Sequence, residues 1–432
     1  MVVSTENAIY PQRELIGLGV IVYLIVALIV RSKKTHIPAW SIMAFSAFIT
    51  VVTGLVNLDE IGSVIDLDVI LFLIGMFSLV SLAESSGLLS ALSIWYVSRF
   101  KTRYSLIYAS SLLFGLLSAF AVNDTVALMG PPIAYIISKT AGLNAKLMFL
   151  LLAYSLTIGS VMTPIGNPQN VLIAIESGIT APFIQFFVKL AIPTLINLVV
   201  LSFLMIKIFR VENTRIEVAI VPQEFIRDKR DALIAGIGLI TAILSLIIND
   251  LFELAGLPHI THRGFIPFII AAGVYPLARN PRRVLAGVDW GTIVFFITMF
   301  ITMEGVWRSR VLQPVLSLLL PSKLGGVGTV LSITIASITL SQVLSNVPFV
   351  KLFIPFMESL GYTSIDVNAW LTLAAMSTIA GNLTILGAAS NIIVLETLES
   401  KMNTSISFIE FFKIGLLVTT VNTLIYLVFL LV

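Results

Sequence analysis

The stretch Thr163-Pro164-Ile165-Gly166-Asn167-Pro168-Gln169-Asn170 lies between two apolar runs, residues 145–162 and 171–175. Each run is too short to span a bilayer, but together they approach the roughly 20 apolar residues that one membrane helix needs. Glycine and proline interrupt the helix here. Non-helical backbone at membrane depth is tolerated only inside protein or along a wet cavity. The stretch therefore predicts a membrane helix that is broken at a binding site.

A second copy of this stretch runs from Thr384 to Asn391. Two further blocks are repeated in the same order, which indicates an internal duplication. Paired membrane segments interrupted by Gly or Pro are the best sequence pointer to the binding site of a secondary transporter. The residues repeated at an offset of 221 (384 − 163 = 221) are Thr163 and Thr384, Gly166 and Gly387, and Asn170 and Asn391. The blocks repeated at an offset of 223 (341 − 118 = 223) are 118–132 with 341–355, and 71–77 with 294–300.

The composition is that of a polytopic membrane protein. The 432 residues are 58% hydrophobic and 11% charged, whereas a soluble protein is about 25% charged, so the lipid bilayer is the expected partner. The net charge of +3 reports the orientation of loops, and no nucleic-acid partner is expected. The chain has no cysteine, which excludes disulfides and thiolate metal sites, and no cofactor is expected. Since no basic region precedes the first apolar run, we expect no removable signal peptide.

The order of apolar and polar segments predicts an all-α protein of two halves, residues 1–209 and 231–432, joined by a cytoplasmic linker at 210–230. The pairs 104–139 and 324–360 have arms that are short for two full crossings, so each is predicted to be a re-entrant hairpin. Each half then has five transmembrane helices plus one hairpin, and an odd number of crossings makes the two repeats inverted. The other apolar segments are 14–30, 37–56, 67–83, 145–176, 190–209, 231–248, 265–278, 290–303, 367–398 and 414–432.

The distribution of Lys and Arg fixes the orientation. With this layout, 19 basic residues fall inside and 6 outside, and Lys351 alone lies within the membrane. Cytoplasmic loops carry the excess of positive charge. We therefore predict a multi-pass protein of the plasma (inner) membrane with both termini outside.

The hairpin tips and helix breaks start four half-helices, near residues 124, 347, 169 and 390. Their free N–H groups and positive dipole ends suit a small anion or a hydroxyl-rich neutral molecule. Backbone carbonyls with Asn and Thr oxygens could hold Na⁺ near Asn123 and Asn346. The alternative is that these side chains only cap helix ends within a packed bundle. The predicted binding residues are Asn123, Asp124, Thr125, Thr163, Gly166, Asn167, Gln169, Asn170, Ser345, Asn346, Thr384, Gly387, Ser390 and Asn391.

Asp124 and Lys351 are the candidate coupling residues. A charge inside a bilayer costs about 2.5–3.5 kcal/mol and usually marks a partner or an ion path. Lys351 lies five residues past Asn346, about 7.5 Å along a helix. We expect Asp124 to be the protonation or cation site and Lys351 to pair with it. The alternatives are that Asp124 caps its helix and that Lys351 extends to the membrane surface.

Four blocks resemble the ion transporter superfamily, on its branch of arsenite permeases, sodium–proton antiporters and P-protein-like transporters. This resemblance implies inverted repeats, tips and breaks that meet at one central site, and transport coupled to H⁺ or Na⁺. Sodium–dicarboxylate relatives carry Ser-Asn-Thr at both tips, whereas this chain has Val122-Asn123-Asp124 and Ser345-Asn346-Val347, which argues against a dicarboxylate. The blocks are 123–133, 163–170, 345–349 and 381–391.

These patterns favour a secondary active transporter of a small inorganic anion or oxyacid, similar to arsenite permeases and coupled to H⁺ or Na⁺. Sodium–proton antiport is the first alternative, and a sodium-coupled di- or tricarboxylate carrier is the second. No phosphate-binding G-x-x-x-x-G-K-[ST] motif and no H-E-x-x-H motif is present, which argues against an ATP-driven pump and a zinc protease. The inverted duplication favours a carrier over a channel, and an intramembrane enzyme is disfavoured because no His lies in a predicted span and only Asp124 is clearly placed as an intramembrane Asp. Assembly as a homodimer is left open.

Overall fold

Helices form almost all of the regular structure. This computed structural model describes residues 3–33, 37–216, 225–402 and 404–431, but not the side chains of 3–11, 32–33 and 401–402. Across those ranges the chain forms twenty α-helices, several 3₁₀ turns and no β-strand, apart from one isolated bridge between Thr102 and Arg215. The predicted all-α class is confirmed.

The first half follows the predicted order of segments. Its helix α10 begins eight residues before the predicted run at 190, because Pro182 at the first turn starts the helix and Gln185 and Lys189 lower the local hydropathy without breaking it. The helices are α1 Val3–Lys33, α2 Ala39–Val52, α3 Ile61–Val64, α4 Leu67–Ser85, α5 Leu88–Val97, α6 Arg103–Ala121, α7 Asn123–Thr140, α8 Ala145–Gly159, α9 Pro168–Glu176 and α10 Pro182–Ile208.

The second half repeats this order. Its helix α14 extends past the predicted run at 290–303, since Arg308 pairs with Glu304 one turn earlier and extends the helix to Ser309. The helices are α11 Lys229–Leu254, α12 Phe265–Val274, α13 Pro281–Ala286, α14 Trp290–Ser309, α15 Gln313–Leu319, α16 Val327–Leu344, α17 Asn346–Ser359, α18 Val367–Ile379, α19 Ala389–Met402 and α20 Phe408–Leu430.

Polar side chains at the loop ends start many of these helices. Asp66 accepts hydrogen bonds from two backbone N–H groups at the start of α4. Thr102 forms a reciprocal capping box with Ser105 at the start of α6. Asn144 and Asp228 cap α8 and α11. Each such cap is worth about 1 kcal/mol, so these polar residues help to fix where the four helices begin.

Nine helical segments of the described residues are long and apolar enough to cross a membrane, and the shorter apolar helices include α2 and α12. The most buried is residues 145–162, where 89% of the residues are enclosed, and residues 147–160 are all buried. A helix that is apolar and enclosed on every side lies in the centre of a bundle. Residues 369–379 of α18 are enclosed in the same way. The two helices that precede the breaks therefore form the core, and α1, α11 and α20 lie outside with apolar faces available to lipid.

The two hairpin turns have the same unusual backbone. Val122 between α6 and α7 has φ of +62°, and Ser345 between α16 and α17 has φ of +70°. Their numbers differ by 223 (345 − 122 = 223), the offset of the duplicated blocks. Residues other than glycine rarely adopt this left-handed region, so the same strained turn has been kept in both copies. Each turn places the following Asn at the first position of a helix. Inversion of the two repeats stays a prediction.

The ends of the predicted linker run beside loops of the first half. The N–H of Ile216 donates to the carbonyl of Lys101, and the N–H of Arg103 donates to the carbonyl of Thr214. The N–H of Arg227 donates to Ser86. Residues 217–224 of the linker lie outside the described residues. The described linker ends therefore lie on the same side as the basic loop at residues 99–103.

This arrangement yields a prediction for labelling in whole cells. The exposed residue Thr214, replaced as Thr214→Cys, should not react with a membrane-impermeant thiol reagent in intact cells and should react after permeabilisation. Ser63 in α3 is also exposed but lies outside in the predicted topology, so Ser63→Cys should react in intact cells. Since the chain has no cysteine of its own, labelling of Thr214→Cys in intact cells would overturn the predicted orientation.

Candidate functional site

The first helix break is closed by side chains that bond to the freed backbone. Between α8 and α9 the chain forms two 3₁₀ turns, and the Thr163 hydroxyl accepts from the N–H of Gly166. The Asn167 side chain accepts from the N–H of Asn170 at 3.0 Å. In turn, Nδ2 of Asn170 donates to the carbonyls of Ser160, at 3.0 Å, and of Thr163, at 3.3 Å. The new half-helix is thus fastened to the carbonyls that end the old one.

The second break repeats this fastening. Nδ2 of Asn391 donates to the carbonyl of Gly381 at 2.8 Å and to that of Thr384 at 3.3 Å. Both acceptors lie 221 residues after the acceptors of Asn170 (381 − 160 = 221). We call Asn170 and Asn391 the break clamps. The alternative that these residues only cap helix ends accounts for the hydrogen bonds of their Nδ2 atoms. Their Oδ1 atoms determine what else they can bind.

Glycine is required within each break because the chain folds back on itself. A Cβ atom added at Gly166 would lie 2.2 Å from the carbonyl oxygen of Ser160, and one added at Gly387 would lie 2.8 Å from that of Gly381. Both distances are shorter than any allowed contact, and both obstacles are backbone. The predicted residues Gly166 and Gly387 therefore shape the site without contributing a polar group.

The first break is also tied to the other half of the chain. The hydroxyl of Thr378 in α18 accepts from Nδ2 of Asn167 at 3.1 Å and from Nε2 of Gln169 at 2.9 Å, and donates to Oδ1 of Asn170 at 3.3 Å. Thr378 was not among the binding residues predicted from the sequence. The signal was the repeat itself, because Thr157 occupies the same place in the first copy (378 − 157 = 221).

Each break is held by the outer arm of the hairpin in its own half. The Thr163 hydroxyl donates to the carbonyl of Ala119 in α6. The Thr384 hydroxyl donates to Oε1 of Gln342 in α16 at 2.9 Å, and Nε2 of Gln342 donates to the carbonyl of Ala380 at 2.7 Å. Gln342 was missed too, although it lies 223 residues after Ala119 (342 − 119 = 223).

The inner arm of each hairpin packs against the second half-helix of the opposite half. Helix α7 packs against α19, and α17 packs against α9. The tip residue Asn346 lies at the second break, since a Cβ atom added at Gly381 would lie 3.3 Å from its Nδ2. The structure starts all four half-helices one residue earlier than predicted, at Asn123, Asn346, Pro168 and Ala389. Ser345 forms the second tip, and Thr125 lies in the first turn of α7.

Several polar atoms at the tips and the second break remain without partners. In the first break the side chains of Asn167, Gln169 and Asn170 all form hydrogen bonds. Buried polar atoms are nearly always satisfied, by protein or by something bound. The unpartnered buried atoms of the tips and the second break are Oδ1 of Asn123, Oγ of Ser341, Oδ1 of Asn346, Nδ2 and Oδ1 of Asn382, Oγ of Ser390 and Oδ1 of Asn391. Free acceptors thus concentrate around the second break and the two tips, where a ligand with hydroxyl groups or a cation would satisfy them.

The expected pair of Asp124 and Lys351 is not formed. Nζ of Lys351 lies 2.6 Å from Oε1 of Glu176 and 4.9 Å from the centre of the Phe300 ring. The reason is the crossed packing of the hairpins, which brings α17 to the end of α9. Asp124 lies on α7, and the charged groups around it are Arg31 and Asp289. The predicted pairing of Lys351 with Asp124 is therefore wrong, while the role of Asp124 as the protonation or cation site stays a prediction.

The pair of Glu176 and Lys351 lines a cavity of about 310 Å³, together with Glu304, Glu358 and Trp307. The side chains of Glu176 and Lys351 are only 13% and 17% exposed, so this is a largely buried ion pair. In the loop before α4, a hydrogen bond from the Arg308 guanidinium holds the pKa of the Glu60 carboxyl below its usual range. Arg308 also pairs with Glu304, so three carboxylates of this region are partnered by a basic side chain.

The close approach at the first break predicts a sharp effect of one methyl group. Gly166→Ala should abolish transport and lower the unfolding temperature in detergent, because the added Cβ meets backbone that cannot move aside. Gly273→Ala in α12 is the matched control, since nothing lies within 4 Å of its Cβ position. Normal transport by Gly166→Ala would show that the break is not a tightly folded site.

The buried ion pair predicts non-additive effects on stability. Glu176→Gln or Lys351→Met alone leaves one charge buried and unpaired, which costs about 3–5 kcal/mol in free energy of unfolding. The double variant removes both charges and should recover much of that loss. Thermal unfolding of the four proteins in one detergent measures the coupling. Additive losses would mean that the two side chains do not depend on each other.

Comparison with known proteins gives the family. The profile of the citrate transporter family (CitMHS) matches residues 23–380. The 46 kDa membrane protein of Mycobacterium leprae is 26% identical over 397 residues, which cover 87% of this chain and 89% of that protein. The silicon efflux transporter LSI3 of Oryza sativa is 25% identical over 407 residues, which cover 81% and 83%.

The fold is also similar to that of a solved transporter. The crystal structure of the YdaH transporter of Alcanivorax borkumensis matches with a TM-score of 0.56 and 14% identity, over 84% of each chain. At this identity the likeness concerns the fold alone. The family profile, by contrast, spans most of the chain, including the first break, both hairpin tips and the start of the second break. The chain is therefore a membrane transporter that belongs to the citrate transporter family (CitMHS), within the ion transporter superfamily.

Proposed function

We propose that this transporter is a secondary active carrier of a small inorganic oxyacid, driven by exchange or symport with H⁺ or Na⁺. The observation that carries the proposal is the chemistry of the tips and breaks. Residues 118–125, 160–170, 341–347 and 380–391 contain amides and hydroxyls but no Lys or Arg. Their unpartnered buried atoms include oxygens from both tips and the second break. Such a lining matches a neutral molecule that presents several hydroxyl groups.

Charge argues for an oxyacid over a tricarboxylate. A trivalent anion taken from water needs compensating positive charge, because burying an unpaired charge is very costly. The cationic side chain nearest the second tip along the chain is Lys351, and Glu176 already neutralises it at 2.6 Å. An oxyacid that is undissociated at neutral pH needs only hydrogen bonds. The silicon transported by the rice relative is such an oxyacid in water.

Citrate transport with sodium is the second candidate, because the matching family profile is described as that of a citrate transporter. In that case the four half-helix N-termini would bind carboxylates, and bound Na⁺ would supply the missing positive charge. Oδ1 of Asn123 and Oδ1 of Asn346 would be its ligands. Sodium–proton antiport without a further substrate is the third candidate and rests on Asp124 alone.

The proposal includes the layout of the chain. We take residues 1–209 and 231–432 as inverted repeats and 210–230 as a cytoplasmic linker, with both termini outside the inner membrane. The shared offsets at the tips and break clamps support the duplication. In this arrangement the two breaks and two tips form one site that opens to alternate sides. Asp124 is the proposed coupling group, and Lys351 holds the second hairpin to α9 through Glu176.

A transport panel tests the substrate. Everted vesicles are supplied with arsenite, silicate, sulfate, citrate or Na⁺, and both substrate uptake and internal pH are followed. The oxyacids should be accumulated and citrate should not. Vesicles with Asn391→Ala are the negative control, because this substitution removes the second break clamp without changing the net charge of the protein. Accumulation of citrate alone, dependent on Na⁺, would replace the first candidate by the second.

The same vesicles test Asp124. Asp124→Asn keeps the size and hydrogen-bonding shape of the side chain but removes its charge. We expect ion-driven accumulation to be lost while exchange of labelled for unlabelled substrate continues, because the binding groups remain. Leu128→Met, on the exposed side of the same helix, should accumulate substrate normally. Unchanged accumulation by Asp124→Asn would remove it as the coupling group.

A further inference from the structure

The last helices of the two halves carry the same pair of polar residues. Thr194 and Asn197 in α10 correspond to Thr419 and Asn422 in α20, at one offset (419 − 194 = 422 − 197 = 225). All four are buried, with exposures of 0%, 0%, 3% and 1%, and α10 packs against α20. Polar residues within membrane helices are costly to enclose, so their repetition at one interface calls for a physical reason.

The two helices run in opposite directions, which brings the pairs to one level. Gln185 near the start of α10 lines the same cavity as Leu430 at the end of α20. Further along both helices, the hydroxyls of Thr194 and Tyr426 lie 2.7 Å apart. The antiparallel pairing therefore places Asn197 at the level of Asn422. Asn197 also lies near the Tyr426 hydroxyl, yet neither of its amide atoms reaches a partner at hydrogen-bond geometry.

The row of polar groups continues to the second helix break. A Cβ atom added at Gly415 in α20 would lie 2.2 Å from the carbonyl oxygen of Asn382. Asn382 ends a 3₁₀ turn of that break. Thr419 follows one turn after Gly415 on α20, and Asn422 follows Thr419. We call the row of Asn382, Thr419, Asn422, Asn197, Thr194 and Tyr426 the polar seam.

The polar seam contains many unsatisfied groups. Of the fourteen buried side-chain polar atoms without a partner in the described residues, seven belong to the seam or to the adjacent Thr423. Leaving one such atom unpaired costs about 1–3 kcal/mol. Thr419 is unpaired because the position that mirrors Tyr426 in the first half is Leu201 (426 − 225 = 201), which has no hydroxyl. The seven are Nδ2 and Oδ1 of Asn197, Nδ2 and Oδ1 of Asn382, Oγ1 of Thr419, Nδ2 of Asn422 and Oγ1 of Thr423.

The mixture of free donors and acceptors identifies the ligand. A cation would satisfy only the oxygens, and an anion would satisfy the amide nitrogens and the hydroxyls but leave the amide oxygens without a donor. Water satisfies both, and a buried water needs two to four polar partners. Tyr426 is the one titratable side chain of the seam, so no carboxylate is present to hold Na⁺ by charge. The geometry suits a file of water molecules between α10, α18 and α20.

We propose that the polar seam is a hydrated path along which protons pass between the outer cavity and the second helix break. At its outer end is a cavity of about 540 Å³ lined by Lys189, Lys323 and Asp366, and at its inner end are the free acceptors of the proposed substrate site. Each water accepts a proton from one neighbour and gives another to the next, so no side chain changes its charge. This inference rests on the proposed function, a carrier coupled to H⁺ or Na⁺, and identifies H⁺ as the coupling ion.

The first test reads hydration directly and needs no substrate. Thr419→Cys and Asn422→Cys introduce single thiols into a protein without cysteine, and Ag⁺ reacts with thiols that water can reach. Both should lose their free thiol on exposure to Ag⁺ in membranes. Val418→Cys, fully buried one residue away, should keep its thiol. Protection of all three thiols, or equal loss of all three, would overturn the proposal.

The second test closes the path. The double variant Asn197→Leu with Asn422→Leu fills the seam with side chains of similar size that cannot bind water. We expect proton-driven accumulation to be lost and substrate exchange to continue. Thr420→Leu, on the exposed side of α20, should behave as wild type. Wild-type accumulation by the double variant, or loss of exchange together with accumulation, would contradict a proton path. Failure of the wild-type protein to transport any oxyacid would refute the proposed function and leave the Ag⁺ result standing.

Discussion

The structure depends on the rule that a backbone polar group at membrane depth must find a partner. A helix broken in the core frees several such groups, and in each break one amide side chain satisfies two of the freed carbonyls. Asn170 and Asn391 each join two carbonyls that end one half-helix to the start of the next. The close approach at Gly166 and the strained tip residues follow from the same need. The breaks are therefore well-ordered elements in which two freed carbonyls are already satisfied. A binding site placed in them adds little further cost in free energy.

The crossed packing of the hairpins connects these local constructions into one molecule. Each hairpin holds the break of its own half with its outer arm and lies against the opposite half with its inner arm. The ion pair of Glu176 and Lys351 and the hydrogen bonds of Thr378 lie where the halves meet. A movement of one hairpin would therefore change contacts in both halves.

Much of this arrangement could be predicted from the sequence because it is local. Thr, Gly and Asn at the same spacing in both copies indicated the two breaks, the repeated Asn indicated the two tips, and the four half-helix starts were predicted within one residue. The partners of Thr378, Gln342 and Lys351 could not be predicted, since they depend on which half each hairpin arm packs against. An offset between repeats identifies equivalent residues. It does not show whether a residue contacts its own half of the chain or the opposite half. The polar seam was overlooked because single Thr and Asn residues barely lower the hydropathy of a long apolar helix.

The hydrogen bonds of Thr378 have an energetic consequence for the working cycle. If the halves exchange conformations, Thr157 takes the place of Thr378, and its partners become Ala388 and Ser390 where the first half has Asn167 and Gln169. Ala388 cannot donate a hydrogen bond, and Ser390 has a shorter reach than Gln169. Each lost bond is worth about 1 kcal/mol. With such an exchange, the two end states would differ by a small free energy, and the unloaded transporter would have a preferred resting side.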